Sequence, residues 1–150
     1  MKKLEKRAKI IIVDDDENIR RTMKAILEDE GYIVDLATTG REAVEMAEEK
    51  AYNLALLDIR LPDMEGYELL KLIRNNVPRT RKIMVTGYPS MQNAISSLNK
   101  SADAYLVKPV NVEKLLETVR EQLQLQEKEE NFTEQKVAEY IETRVKEISV

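Results

Sequence analysis

Neither cysteine nor histidine occurs anywhere in the 150 residues of this chain. The first absence removes disulfides, thiolate metal sites and cysteine nucleophiles together. The second removes Ser-His catalysis, imidazole metal ligation and any phosphohistidine of the chain's own. Long apolar runs are missing too. The longest, Ile10 to Val13 and Leu54 to Leu57, fall far short of the ~20 residues that a membrane-spanning helix needs. The basic opening, Met1 to Lys9, lacks the apolar stretch of a secretory signal, so no membrane insertion and a cytoplasmic location are expected. Neither sign of charge dominates: 24 Lys and Arg stand against 28 Asp and Glu, a net charge of −4. That balance gives no sequence-wide footprint for nucleic acid. What is left for chemistry is carboxylates, lysine, arginine and hydroxyls.

A chain of this length buries roughly 68–70% of its unfolded surface, enough for a core without staples. Short apolar runs alternate with amphipathic stretches. Ile10 to Val13 is β-branched and reads as a buried strand. Ile19, Met23, Ile26 and Leu27 then fall on one face of a helix that Gly31 can end. Tyr32 to Ala37 reads as a second strand, and Thr39-Gly-Arg-Glu42 as a capping box opening a helix with Val44 and Ala47 inward. Leu54 to Leu57 is a third strand, Met64 to Asn75 a third helix, Ile83 to Val85 a fourth strand and Ser90 to Asn99 a fourth helix. Tyr105 to Val107 is a fifth strand, before a helix with Val112, Leu115, Leu116, Val119 and Leu123 on one face. Strands alternating with helices in this way predict an α/β fold, a parallel sheet covered on both sides.

The division expected is a basic leader at 1–8, a domain at 9–125 and a helical extension at 126–150. In the extension, polar Gln126 to Glu130 suggests a break. Phe132 and Thr133 suggest a helix restart, Thr133 capping and Phe132 stapling onto Val137. Val137, Tyr140, Ile141, Val145 and Ile148 then make a second apolar stripe. Acids outnumber bases in this segment, so direct nucleic-acid binding is not expected of it.

The residues after each strand carry the chemistry. The first strand runs into Asp14-Asp15, the third into Asp58, the fourth into Thr86 and the fifth into Lys108-Pro109. In an open α/β sheet the ligand site lies beyond the carboxyl ends of the strands, where the strand order reverses. Three carboxylates gathered there would raise one another's pKa. Lys108 offsets one charge and a divalent cation the others. All-oxygen ligation favours a hard ion such as Mg²⁺, for which Mn²⁺ could substitute. An aspartate held beside a cation, a lysine and a threonine hydroxyl is set to attack a phosphoryl group. Asp16 reads as a helix-start residue and Asp63, after Pro62, as loop chemistry.

Four motifs in order, Ile11-Ile-Val-Asp-Asp-Asp-Glu17, Leu56-Leu-Asp58-Ile-Arg-Leu-Pro62-Asp-Met-Glu-Gly66, Met84-Val-Thr86-Gly87 and Ala104-Tyr-Leu-Val-Lys108-Pro109, resemble the receiver domain of two-component response regulators (the CheY-like superfamily). The resemblance covers residues 8 to 125. It implies a flavodoxin-like fold of five βα units, with strand order 2-1-3-4-5. Carried over by position, it makes Asp58 the phosphoacceptor, Asp15 a direct Mg²⁺ ligand and Asp14 a ligand through water. Arg60 would give its backbone carbonyl, and Lys108 would contact the phosphoryl group. Thr86 and Tyr105 would form the switch, and Gly87 would keep access for the phosphoryl group. Tyr88 together with Arg60 would influence how fast the phosphoaspartate hydrolyses, and the bond before Pro109 would be cis. The implied partners are a sensor histidine kinase or phosphotransfer protein, an unknown downstream protein and, for a homodimer, a second copy. That copy would meet the C-terminal helix or the face made by the fourth helix, fifth strand and fifth helix. The apolar stripe of the extension reads equally as folding back on the domain, with a linker to a further segment behind both. A dehalogenase-like phosphatase would need a second Asp two residues after the first, where Arg60 stands. A flavodoxin would need a phosphate cradle where the loop after the first strand is acidic.

Overall fold

A computed structural model describes residues 7–73, 79–87 and 102–148. Its elements are β1 (Lys9–Val13), α1 (Glu17–Asp29), β2 (Ile33–Ala37), α2 (Gly40–Glu49), β3 (Leu54–Asp58), α3 (Gly66–Leu72), β4 (Arg81–Thr86), β5 (Ala104–Val107) and α4 (Val112–Ile148). The expected helix at 90–99 lies outside the described residues. The strands form one parallel sheet in the order β2-β1-β3-β4-β5.

Alternation along each strand feeds two cores. Ile10 and Ile12 of β1 join Leu54, Leu56, Ile83 and Val85 under α1 and α4, against Met23, Leu27, Leu115 and Val119. Ile11 and Val13 join Ala55, Leu57 and Met84 on the other face, under Ala43 of α2 and Leu69 and Leu70 of α3. Burial on both faces explains why these strands read as continuous apolar runs. Each fully buried Ile or Leu contributes roughly 1.5–3 kcal/mol.

Local signals set the helix ends. Asp16 caps α1, accepting from the N–H groups of Asn18 and Ile19, and Gly31 at φ +97° turns the chain out of it. Thr39 caps α2 by accepting from Glu42 N at 3.1 Å. The reciprocal half of the box differs from expectation, because Glu42 accepts from the Thr38 hydroxyl instead, at 3.3 Å. Helix α3 is shorter than the Met64–Asn75 expected. The residues ahead of Gly66 form a tight loop, and Ile73 leaves the helix in an extended conformation. Lys82, buried beneath α3, donates from Nζ to the carbonyls of Leu70 at 2.8 Å and Ile73 at 3.3 Å.

The expected break after Gln126 is corrected. Helix α4 runs 37 residues without interruption, about 55 Å at 1.5 Å per residue. Gln126 to Glu130 are strong helix formers with no glycine or proline among them, so nothing stops the helix there. Thr133 does not cap; its hydroxyl donates back to the Glu129 carbonyl at 3.0 Å, one turn earlier in the same helix. Phe132 and Val137 both stay exposed rather than stapling together. Gln126 is buried and ties the helix to the sheet: its amide donates to the carbonyls of Asn53 and Arg79, both at 2.8 Å, and accepts from Asn53 Nδ2 at 3.0 Å. Among the described residues no helix is long and apolar enough to cross a membrane.

Candidate functional site

The neighbouring strands β1 and β3 deliver the site. Their helices α1 and α3 leave to opposite faces, so the carboxyl ends border the crevice where the order reverses. Asp14 follows β1 and is fixed from several sides. Its N–H donates to the Ala37 carbonyl at 3.2 Å, and its Oδ1 accepts from Asp16 N at 2.9 Å. Arg20 of α1 donates to its carbonyl at 2.8 Å. Asp58 closes β3 and is 7% exposed, whereas Asp15 is open to solvent. Lys108, just past β5, reaches both buried acids, with Nζ 2.9 Å from Asp14 Oδ2 and 3.4 Å from Asp58 Oδ2. Its own N–H donates to the Thr86 carbonyl at 2.8 Å, and its peptide bond to Pro109 is cis.

Asp14, Asp15 and Asp58 each offer a carboxylate oxygen, all within 4.8 Å of one another. One ammonium cannot balance three carboxylates. Burial first, and then the Asp14 charge, push the Asp58 carboxyl up to about 6, against the pull of Lys108 and of the Arg60 backbone N–H. Burial alone would lower the Lys108 pKa; the hydrogen bond and charge of Asp14, with those of Asp58, raise it instead. A partly exposed pocket of oxygen donors with surplus negative charge fits a hard divalent cation.

The other expected site residues fall around this centre. Thr86 is fully buried at the end of β4, beside Val107 in register. Tyr105 is half-buried and packs on the core under α2 and α3, paired in register with Met84. Gly87 is exposed, with open space where a Cβ would stand. Arg60 bridges to Glu65 across the loop after β3. Tyr88 lies outside the described residues.

Three contributors carried little sequence signal. Arg20 sits in an ordinary helical pattern, and nothing in its spacing points to the Asp14 carbonyl. Asp63 accepts from the first two N–H groups of α2, Gly40 and Arg41, both at 2.9 Å. A Cβ on Gly66 would run into the carbonyl oxygen of Asp58. That glycine was the one legible signal, standing at the close of the motif that follows Asp58 and at the start of α3, since glycine permits close backbone approach.

Residues 10–120 match the family model of the response regulator receiver domain. The chain belongs to the response regulator receiver family. A CheY-like receiver domain protein from Methanospirillum hungatei JF-1 is 51% identical, with a TM-score of 0.76 over 83% of this chain and 99% of that one. The response regulator TrrA of Thermotoga maritima, in complex with Mg²⁺-BeF, is 36% identical, with a TM-score of 0.69 over 77% of this chain and 98% of that one. The uncharacterized transcriptional regulatory protein YkoG of Bacillus subtilis is 37% identical over 111 residues, which are 74% of this chain and 49% of that protein. The receiver thus spans about half the length of that relative. Receiver domains are signalling switches of two-component systems.

Proposed function

We propose that this receiver accepts a phosphoryl group on Asp58 from the phosphohistidine of a sensor kinase or phosphotransfer protein. The observation that carries the reading is the position of Lys108, bonded to Asp14 and within reach of Asp58, with Asp15 beside them. Asp15, Asp58 and the Arg60 backbone carbonyl would hold Mg²⁺ directly and Asp14 through water, and Mn²⁺ suits the same donors. The bound cation would supply charge neutralisation on the phosphoryl oxygens. With its pKa near 6, Asp58 is mostly carboxylate at neutral pH. One of its oxygens bonds to phosphorus as the phosphorus–nitrogen bond breaks. The electron pair leaves on the donor's imidazole, which takes up a proton. Lys108 then pairs with the new phosphoryl oxygens.

An apolar groove of about 490 Å³ lies against Lys108, lined by Ile19, Met23, Ile26, Pro109, Val110 and Leu115. Its closeness to the acceptor suits it to seat the donor. Thr86 and Tyr105, on neighbouring strands, would relay phosphorylation as a population shift at the β5 edge. Water would slowly hydrolyse the phosphoaspartate, with Arg60 and Tyr88 modulating its lifetime. The exposed end of α4 would pair with a second copy. Its stripe of Val137, Tyr140 and Ile141 is flanked by Glu134, Lys136, Glu139, Glu142 and Arg144, charges of mixed sign that do not oppose self-association.

The test is incubation with Mg²⁺ and a small acyl phosphate, read by intact mass. One added phosphoryl group is expected, absent from Asp58→Asn and absent without divalent metal. Modification that survives in Asp58→Asn removes the assignment. For pairing, the oligomeric mass of the full chain is compared with a form ending at residue 130, which keeps the Gln126 and Glu129 contacts. Equal monomers would end that part of the reading.

A further inference from the structure

The loop that joins the acceptor strand to α3 is fastened at its far end to a different helix. Within the loop, Leu61 N donates to the Met64 carbonyl at 3.1 Å and Gly66 N to the Ile59 carbonyl at 2.6 Å. Arg60 and Glu65 bridge between them. At its tip, the two carboxylate oxygens of Asp63 take one N–H each from Gly40 and Arg41, both at 2.9 Å. Met64 occupies the space that a Cβ on Gly40 would fill. Thr39 already satisfies the third N–H of α2, that of Glu42, so Asp63 supplies the two acceptors that the helix's own cap cannot. These bonds join a carboxylate to amides at a helix N-terminus, where the dipole strengthens them. They hold the Asp63 carboxyl below its ordinary range.

We propose that the clasp between Asp63 and the start of α2 is a positioning device for the cation site, holding the Arg60 backbone carbonyl in line with Asp15 and Asp58. This rests on the metal reading above. Arg60 stands between the acceptor and the clasp, one residue separating it from Asp58 and two from Asp63. Releasing the tip removes the loop's tie to α2 and with it one of the restraints on the direction of that carbonyl. Outer partners of metal ligands commonly matter about 10–100-fold in affinity. An indirect hold on a single carbonyl belongs at the low end.

The experiment is calorimetric titration of Mg²⁺ into the full chain, alongside thermal unfolding in metal-free buffer. Asp63→Ala is expected to weaken Mg²⁺ binding about 10-fold, and Asp63→Asn less, since it keeps one carbonyl acceptor. Thr39→Ala removes the cap of the same helix without touching the loop. It should lower the unfolding temperature and leave Mg²⁺ affinity within about twofold. If Asp63→Ala lowers the unfolding temperature but binds Mg²⁺ like the parent, Asp63 is a plain helix cap and the proposal is wrong. If the Ala variant does not fold, the same comparison is made with Asp63→Asn, and parental affinity there overturns it equally. A parent chain that takes up no Mg²⁺ overturns the metal reading itself, a result distinct from unchanged affinity in the variant.

Discussion

The two rims of this sheet use the same residue types and reach opposite electrostatic states. At the amino rim, Arg79 grips Asp103 through two bonds of 2.8 and 2.7 Å. Arg81 adds a contact to Asp103 at 3.3 Å and one to Glu129 of α4 at 3.9 Å. Lys82 N donates to Asp103 Oδ2 at 2.8 Å. Burial alone would raise the Asp103 pKa, yet these partners hold it below the ordinary value. At the carboxyl rim, one lysine serves two buried acids with a third beside them, and Asp58 is pushed up to about 6. The desolvation penalty is of the same kind at both ends, since the side chains of Asp103 and Asp58 are 13% and 8% exposed. What differs is the number of cationic partners. A saturated rim fastens the fold, and an unsaturated one keeps a demand for positive charge that a cation and a phosphoryl group can answer in turn.

The sharpest way to break this contrast is to remove the demand. Asp15→Asn should abolish phosphorylation by acyl phosphate and, with it, stabilisation by Mg²⁺. For the parent chain that stabilisation should reach about 2.7 kcal/mol at a hundredfold excess of Mg²⁺ over its Kd, read as a shift in urea unfolding. An equal Mg²⁺ shift in Asp15→Asn would mean that the cation binds elsewhere.

The saturated rim should answer to mutation and pH instead. Asp103→Ala strands Arg79 and Arg81 beside each other and should cost about 3 kcal/mol, with or without Mg²⁺. The folded pKa of Asp103 lies below its ordinary value of 3.8. Its contribution is therefore fully present above that pH and lost as pH falls through the folded value. The stability gap between parent and Asp103→Ala should be constant down to about pH 4 and close below it. A gap that instead opened on acidification would show that Asp103 is not held as a carboxylate by its neighbours.

The carboxyl rim was the more legible of the two, and the reason is physical. Its chemistry must sit directly after strands, so Asp14, Asp15, Asp58, Thr86 and Lys108 stand at positions that the apolar runs locate. The strand order followed from the resemblance, and the sheet bears it out. The amino rim left no comparable trace. Asn53, Arg79, Asp103 and Gln126 are scattered polar residues that meet only when the sheet closes. Gln126 opens the stretch that reads as the end of the domain, because a buried glutamine and a solvated one look alike in a sequence. Gln126→Ala should cost about 1–3 kcal/mol by taking their Gln126 partner from the Arg79 carbonyl and from Asn53 Nδ2, whereas the Asn53 carbonyl keeps the Arg81 N–H. It should also speed amide hydrogen exchange in α4 beyond residue 122 ahead of the sheet. Uniform acceleration across the whole domain would mean that the helix and the rim unfold as one unit.

The smallest effect lies one turn beyond the last contact of the amino rim, and it separates two accounts of the same residue. If Thr133 began a new helix, its hydroxyl would serve as a cap, and Thr133→Ala would cost about 0.5–2 kcal/mol of helix stability. In the structure that hydroxyl instead donates to the Glu129 carbonyl at 3.0 Å within an unbroken helix. There it only shares an acceptor that the backbone already uses, and threonine is a poorer helix former than alanine. The same substitution should therefore raise helicity and stabilise α4 by a few tenths of a kcal/mol, about 0.5 at most. Circular dichroism at 222 nm through a thermal scan reads the sign directly. A loss of helicity would restore the break, and with it a terminal helix that moves independently of the rim.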